Sequence, residues 1–261
     1  MNTPTGRPNR QMILVALALL SAALLIVAAV VANRKPAGES AALSPGQVAA
    51  VEALVHDYLR DHPEVVNDAL KKLVQQQRAA EEERRKLNIR ALAKELKDDP
   101  GAPVANADGD VTIVEFFDYE CPYCKAMAPK LHDLIDKDKK VRFVFKEYPV
   151  LGPISDYAAR AALASRNQDK YLEFHFAMMA VRGQMNEDMV LATAKEVGID
   201  IERLQKDMTA TEIDDIIKRN KRLAAGINIQ GTPNFIVEET LIPGAVDISY
   251  IKELIGKARG G

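Results

Sequence analysis

Val111-Thr-Ile-Val-Glu-Phe-Phe-Asp-Tyr-Glu-Cys-Pro-Tyr-Cys-Lys125 decides how the rest of the chain is read. Its β-branched and aromatic run, Val111–Phe117, predicts a strand, and the near-continuous apolar character predicts one buried on both faces. The run ends at Cys121-Pro-Tyr-Cys124, and a helical pattern follows at once over Pro122 to Lys137, with Pro129 expected to kink it. Cys121 and Cys124 are the only cysteines. A strand-to-helix junction sets Cys121 at the first helical turn, where outward-pointing N–H groups stabilise a thiolate and lower the thiol pKa. Such a thiolate attacks disulfides and is also a good leaving group. Cys124, one turn on, shares the helix face and can close a disulfide with Cys121. Pro122 fits the first turn, where its missing N–H costs nothing. Half of a zinc site is the competing reading. Zinc takes about four ligands, and His56, His62, His132 and His175 are scattered without ligand spacing, so no metal site is assigned.

A second element lies far downstream. Gly231-Thr-Pro-Asn-Phe-Ile-Val237 reads as a turn entering a strand. A CxxC that opens a helix, followed much later by an X-Pro just before a strand, suggests a thioredoxin fold. The chain resembles the DsbA family of thiol–disulfide oxidoreductases over roughly residues 98 to 258. The match is carried by the Phe-Phe-Asp-Tyr-Glu-Cys-Pro-Tyr-Cys run, by Lys146-Glu-Tyr-Pro-Val-Leu-Gly-Pro153, by Gly231-Thr-Pro233 and by Leu241-Ile-Pro-Gly-Ala245. The resemblance implies an α/β thioredoxin-like fold with an inserted helical subdomain. It implies that Pro233 is cis and faces the thiols, and that Thr232 helps hold substrate backbone; an ordinary trans turn proline is the alternative, since cis is a minority even for X-Pro. Pro122 and Tyr123, between the cysteines, complete the expected substrate-binding set.

Glu115 is the anomaly of the first strand. A carboxylate in a core strand is costly unless it titrates or is paired. It stands six residues before Cys121, matching the family's buried acid behind the disulfide, and the functional reading is a proton acceptor for Cys124. An edge-exposed glutamate is the alternative. Asp118 and Glu120 flank the site and are candidates to tune its charge. Lys146 and Glu147 are read either as charges near the thiols or as a solvated strand edge.

The chain has 261 residues, 48% of them hydrophobic and 28% charged, with a net charge of −2. That balance argues against a nucleic-acid partner. Arg7 and Arg10 precede an uncharged run from Met12 to Ala32, about the ~20 residues that span a bilayer. The run is read as an uncleaved anchor with its N-terminus inside, or as a signal peptide cut near Ala32. Either way the remainder is exported, in a bacterium to the oxidising periplasm, where a disulfide catalyst has work.

Residues 1 to 43 are thus a signal-anchor and linker, residues 44 to 97 a helical region, and residues 98 to 261 the DsbA-like domain, with its helical insertion at about 153 to 226. Ser44-Pro-Gly-Gln47 is a capping-box signature. Val48, Val51, Val55, Tyr58 and Leu59 give one helical face, and Asp61-His-Pro-Glu64 starts a second helix. Val66, Leu70, Leu73, Gln77, Ala80, Arg84, Leu87 and Ala91 follow a heptad-like seam with two polar interruptions. The competing reading is an amphipathic helix folded onto the catalytic domain. The Val-Glu-Ala-Leu-Val-His-Asp-Tyr-Leu run and the His-Pro-Glu-Val-Val after it resemble the N-terminal oligomerisation region of ScsC proteins, some of them trimers associated with copper stress.

From Ser155 to Gly226 the periodicity is helical. Ser155, Asn186, Asp200 and Thr211 are the expected caps, and Gly198 and Gly226 the stops. Met178, Met179, Met185, Met189 and Met208 read as core filler, with Cu(I) binding the rival, and His175 reads as structural. A hairpin is expected across Glu238–Thr240, and Asp247 is expected to cap the last helix.

The function these features predict is exported thiol–disulfide oxidoreduction, forming, reducing or isomerising disulfides in unfolded clients. No metal or organic cofactor is called for. The implied electron partner is a membrane protein, DsbB-like for an oxidase and DsbD- or ScsB-like for an isomerase. A copper-binding protein that uses the same two thiols is the alternative.

Overall fold

A computed structural model describes residues 43–260. The run from Met12 to Ala32, with its anchor and cleavage readings, lies outside the described residues. Among the described residues no helix is long and apolar enough to cross a membrane. The described residues divide into two units, one ending at Leu73 and one beginning at Val74.

In the first unit, helix α1 covers Pro45–Asp61, and helix α2, Pro63–Ala91, begins. Ser44 and Gln47 form the reciprocal capping box: the Ser44 N–H donates to Gln47 Oε1 at 2.9 Å, and the Gln47 N–H to Ser44 Oγ at 3.4 Å. Pro63, which has no N–H, starts a new helix rather than extending the old one. No residue of α1 is buried. Val48, Val51, Leu54, Val55, Tyr58 and Leu59 on α1, and Val65, Val66, Leu70 and Leu73 on α2, are all exposed.

The second unit is built on five strands: β1 (Val104–Ala105), β2 (Val111–Phe117), β3 (Val141–Glu147), β4 (Asn234–Val237) and β5 (Thr240–Pro243), in the order β1-β3-β2-β4-β5. The central strand β2 pairs parallel with β3, through helix α4 (Pro122–Lys137), and antiparallel with β4. Both of its faces are covered, as its apolar run demands. On one face Ile113 and Phe117 join a cluster with Phe143, Phe145, the two cysteines and Leu131 of α4. On the other, Val114, Phe116 and Val144 pack with Ile89, Leu96, Leu223 and Ile227.

The helices from 153 to 226 are α5 (Pro153–Ser165), α6 (Tyr171–Ala180), α7 (Glu187–Glu196), α8 (Ile201–Asp207) and α9 (Thr211–Gly226). Asn186 and Asp200 cap α7 and α8 through the Met189 and Arg203 N–H groups, at 2.8 and 2.9 Å. The other two expected caps are corrected. Gly152 precedes α5 and Ser155 lies buried inside it, while Ala210, without a side-chain cap, precedes Thr211 in α9. Pro153 explains the first shift, because proline at the first helical position starts the helix ahead of the serine. Met178, Met179, Met185 and Met208 are buried in the core. The last helix, α10 (Ile248–Gly260), follows Asp247, whose Oδ1 accepts the Ser249 N–H at 2.8 Å.

The compact unit that holds the sheet begins at Val74, within α2. Residues 85 to 97 present a second face of α2 and of helix α3 (Ala93–Lys97) to the sheet: Ile89 and Leu96 are buried and Leu92 packs beside them. Spacing of three or four residues puts these on one side. The seam residues Arg84, Leu87 and Ala91 lie on the other side and are exposed. Docking is reinforced by Asn88 Nδ2 donating to the Gly226 carbonyl at 2.9 Å and Lys97 Nζ to Glu238 at 2.6 Å. Glu81–Arg85 and Glu82–Lys86 make the expected i,i+4 pairs, each at 3.4 Å.

Lys146 and Glu147 are not a solvated edge: they are 0% and 1% exposed. Alternation along β3 sends them to opposite faces. Lys146 Nζ donates to Asp99 at 2.9 Å and to the Glu95 carbonyl at 2.9 Å, and Arg219 grips the same carboxylate at 2.8 and 3.1 Å. Burial alone would raise the Asp99 pKa, but the Arg219 and Lys146 hydrogen bonds outweigh it and hold it below the usual carboxylate range.

The face assignment yields a prediction. Ile89→Ala, which empties a buried site, is expected to cost about 2–5 kcal/mol in denaturant unfolding. Leu87→Ala, at a 60% exposed position, is expected to change stability by less than about 0.5 kcal/mol. Equal effects would contradict the assignment.

Candidate active site

The central strand delivers the chain to a tight turn. Asp118 Oδ1 accepts the Glu120 N–H at 2.8 Å, an Asx-type turn, and the Asp118 carbonyl accepts the Cys121 N–H at 3.1 Å. Cys121 is the N-cap of α4 with Pro122 at the first helical position. This sets its sulfur over the N–H groups of Tyr123 and Cys124. Both cysteines are buried and not joined in a disulfide, whereas Tyr123 between them is 64% exposed.

The downstream loop closes on the same sulfur. The Thr232–Pro233 peptide bond is cis, and Cys121 Sγ lies 3.2 Å from the Thr232 carbonyl, to which the protonated thiol donates. The loop is held in turn by the Gly244 N–H, which donates to the Pro233 carbonyl at 2.9 Å, and by Asn234 Nδ2, which donates to the Gly231 carbonyl at 2.7 Å. The structure therefore brings Cys121, Cys124, Pro122, Tyr123, Thr232 and Pro233 together.

The two thiols are electrostatically unequal. Cys121 is drawn from 9.0 down to about 5, first by the hydrogen bond from the Cys124 thiol, with burial opposing and the Thr232 side chain and the backbone N–H groups of Cys124 and Tyr123 adding to the drop. Burial pushes Cys124 far above the ordinary thiol range, and donating to Cys121 pushes it further. At neutral pH the pair holds one thiolate, on Cys121, and one proton, on Cys124.

Glu115 is 2% exposed and is not an edge residue: it pairs with Phe145 on one side and Phe235 on the other. Alternation puts it with Ile113 and Phe117 on the face that holds the cysteines. Burial, and then the negative charge of Cys121, raise it from 4.5 to about 8. A carboxyl that gains and loses its proton near neutrality is thus set behind the thiols.

Two tyrosines not singled out from the sequence, Tyr119 and Tyr171, complete the surroundings. Tyr119 and Tyr171 donate to the same Glu147 oxygen at 3.0 and 2.8 Å, and the Tyr119 hydroxyl lies 3.1 Å from His175 Nδ1. Burial holds Glu147 well above the usual carboxylate range, and its second oxygen is buried with no hydrogen-bond partner among the described residues. Burial likewise drops His175 to about 3, leaving it neutral. Asp118 does not act as a free surface charge: it is 2% exposed and bound to backbone N–H groups. Glu120 lies 3.8 Å from Lys125. The signal for the Tyr119–Glu147–His175 contact was faint, because its three members are separated in sequence and Tyr119 and His175 look like ordinary core residues.

Comparison with known proteins agrees with this geometry. Residues 112–256, more than half the chain, match the DSBA-like thioredoxin domain. The chain belongs to that family of thiol–disulfide oxidoreductases. Residues 47–80 match the copper resistance protein ScsC N-terminal domain. A thioredoxin-like oxidoreductase from Silicibacter pomeroyi shares 48% identity, covers 64% of this chain and 98% of its own, and superposes with a TM-score of 0.63. Proteus mirabilis ScsC in a transitional conformation shares 26% identity over 83% of this chain and 98% of its own, at a TM-score of 0.61. The probable disulfide bond formation protein D of Bacillus cereus is 30% identical over 164 residues, 58% of this chain and 74% of that protein. The Na(+)/H(+) antiporter NhaA 1 of Salinispora arenicola matches at 26% identity over 156 residues, but the chain spans only 24% of its length.

The pKa pattern predicts two pH dependences. Thiolate absorbance near 240 nm should titrate with a midpoint of about 5, and a midpoint near the ordinary 9.0 would contradict the site. Glu115 is raised, so its contribution to stability is complete below 4.5 and is lost as the pH rises through about 8. Glu115→Gln should therefore raise the unfolding temperature of the reduced protein at pH 8 and change it little at pH 4.5.

Proposed function

We propose that this protein is an exported disulfide-exchange catalyst in which Cys121 is the attacking sulfur and Cys124 the resolving one. The observation that carries the reading is the unequal thiol pair, with the low-pKa member beside the Thr232 carbonyl. In the reducing or isomerising direction the Cys121 thiolate attacks a client disulfide, a mixed disulfide forms, and one client thiolate leaves. Cys124 then attacks the Cys121 sulfur, the Cys121–Cys124 disulfide closes, and the second client thiolate leaves. Cys124 must lose its proton for this step, and Glu115 accepts it. Oxidation of a client dithiol is the same sequence reversed. Thr232 and Pro233 hold client backbone beside the sulfur, with Pro122 and Tyr123 as the neighbouring contacts.

Electrons pass to or from a membrane redox partner, DsbB-like for oxidation and DsbD- or ScsB-like for isomerisation. The segment Met12–Ala32 exports the chain to the periplasm, as an anchor or as a signal cut near Ala32. The likeness to ScsC and DsbA-like proteins supports that compartment.

Binding of Cu(I) by the two thiols is the second reading, and the match of residues 47–80 to the ScsC N-terminal domain favours it. The site favours exchange instead, because the low-pKa Cys121 sulfur lies beside the Thr232–Pro233 loop, where client backbone can be held.

Metal-free protein is expected to catalyse insulin reduction and RNase refolding. Cys124→Ser should accumulate client adducts on non-reducing gels, because Cys121 still attacks but is not released. Their absence would overturn the assignment of roles.

The helical region preceding the catalytic unit is proposed to assemble the protein into a homotrimer. The exposed apolar side chains of α1 and α2, with seam positions exposed as far as Leu87, support this. Several active sites around one client raise effective concentration and suit isomerisation. Light scattering should show the exported chain as a trimer and Leu70→Glu/Leu73→Glu as a monomer. Scrambled-RNase reactivation should fall in that variant while oxidation of a small dithiol persists. A wild-type monomer would sink the trimer.

A further inference from the structure

One segment, Glu147 to Leu151, bonds to the residues leading into the active-site turn. The Tyr148 N–H donates to the Phe117 carbonyl at 3.0 Å, Tyr119 donates to Glu147 at 3.0 Å, and Asp118 Oδ2 accepts the Val150 and Leu151 N–H groups at 2.8 and 3.0 Å. With Glu120 on its other oxygen, the buried Asp118 carboxylate takes three backbone donors. Such charge-assisted bonds are roughly twice as strong as neutral ones. The loop they pin nevertheless turns its side chains outward: Val150 is 43% and Leu151 54% exposed. Within Val74–Gly261 the other exposed large apolar side chains, among the described residues, are Val74, Leu87, Tyr123 and Tyr250. Half of this set therefore sits on the thiol motif or on the loop tied to its turn. A rigid backbone that presents exposed apolar side chains is preorganised for a partner, because the ordering cost is already met.

We propose that Asp118 is a positioning residue that registers a client chain to the Cys121 sulfur, by fixing Val150 and Leu151 as apolar seats for an unfolded polypeptide. This rests on the disulfide-exchange reading. Asp118 touches no reacting atom through its carboxylate; it joins the seat to the turn that carries the thiol. The partner it fits is an extended chain with apolar side chains near its cysteine. A small dithiol, too short to reach the seat, gains nothing from the link.

The test compares, in the full exported protein, the rate of exchange with an unfolded protein client and with dithiothreitol. Asp118→Ala is expected to lower the client-to-dithiothreitol rate ratio about tenfold, less than the ~100-fold that a 1 Å misplacement of a reacting group can cost. Val150→Ser/Leu151→Ser, which leaves the backbone bonds in place, should lower it similarly. Combined with those two, Asp118→Ala should give no further fall, the non-additivity expected of residues acting as one unit. Asp118→Asn, which keeps an acceptor oxygen for the loop, should restore most of the ratio. Equal slowing of both reactions by Asp118→Ala, or full additivity with the loop variant, would overturn the proposal. Should Asp118→Ala not fold, an unchanged ratio in Val150→Ser/Leu151→Ser overturns it alone. Wild-type protein inactive towards both substrates would instead defeat the exchange reading itself.

Discussion

Two segments that are 111 residues apart in sequence meet at one sulfur, where Cys121 Sγ lies 3.2 Å from the Thr232 carbonyl. The meeting depends on β2 lying between β3 and β4. Parallel pairing with β3 requires a crossover, and α4 supplies it. The start of that crossover helix is where Cys121 stands. Antiparallel pairing with β4 returns the Thr232–Pro233 loop to the same end of the sheet. Remove either pairing and the thiol loses one of its two walls.

Desolvation then differentiates groups that look alike in the sequence. Cys121 and Cys124 differ by one helical turn, yet one is held near pH 5 and the other far above the ordinary range, because one accepts the other's hydrogen bond in a largely buried setting. Three buried carboxyls show the same principle. Asp99 has Lys146 and Arg219 as partners and stays ionised. Glu115, raised by burial and by the charge of Cys121 to about 8, has no cation offsetting them among the described residues. Glu147 receives only two phenols on one oxygen, so burial prevails and its pKa rises. What decides each case is whether a cation reaches the carboxyl, not burial alone.

The helix α2 serves two faces at once. Ile89, with Leu92 and Leu96 beyond it, lies against the sheet, and each fully buried side chain of this kind contributes about 1.5–3 kcal/mol. The heptad-like positions Leu87 and Ala91, around the helix, stay in water. One face of α2 is thus folded onto the sheet, and the heptad-like face is left exposed for the assembly proposed above.

The sequence by itself determined the central strand, the CxxC at a helix start, the X-Pro before a strand, the α/β class and several caps. These are legible because they are local: an apolar period, a proline and a capping side chain act within a few residues. It also marked Glu115 as out of place in a buried strand. Only the tertiary structure decided that Lys146 and Glu147 face opposite layers, that Ile89 and Leu96 belong to the catalytic unit, and that Asp118 grips Val150 and Leu151. Those outcomes depend on which groups meet across the fold. Hydrogen bonds between residues tens of positions apart, and the loss of water that sets the thiol and carboxyl pKa values, leave no periodic trace in the chain.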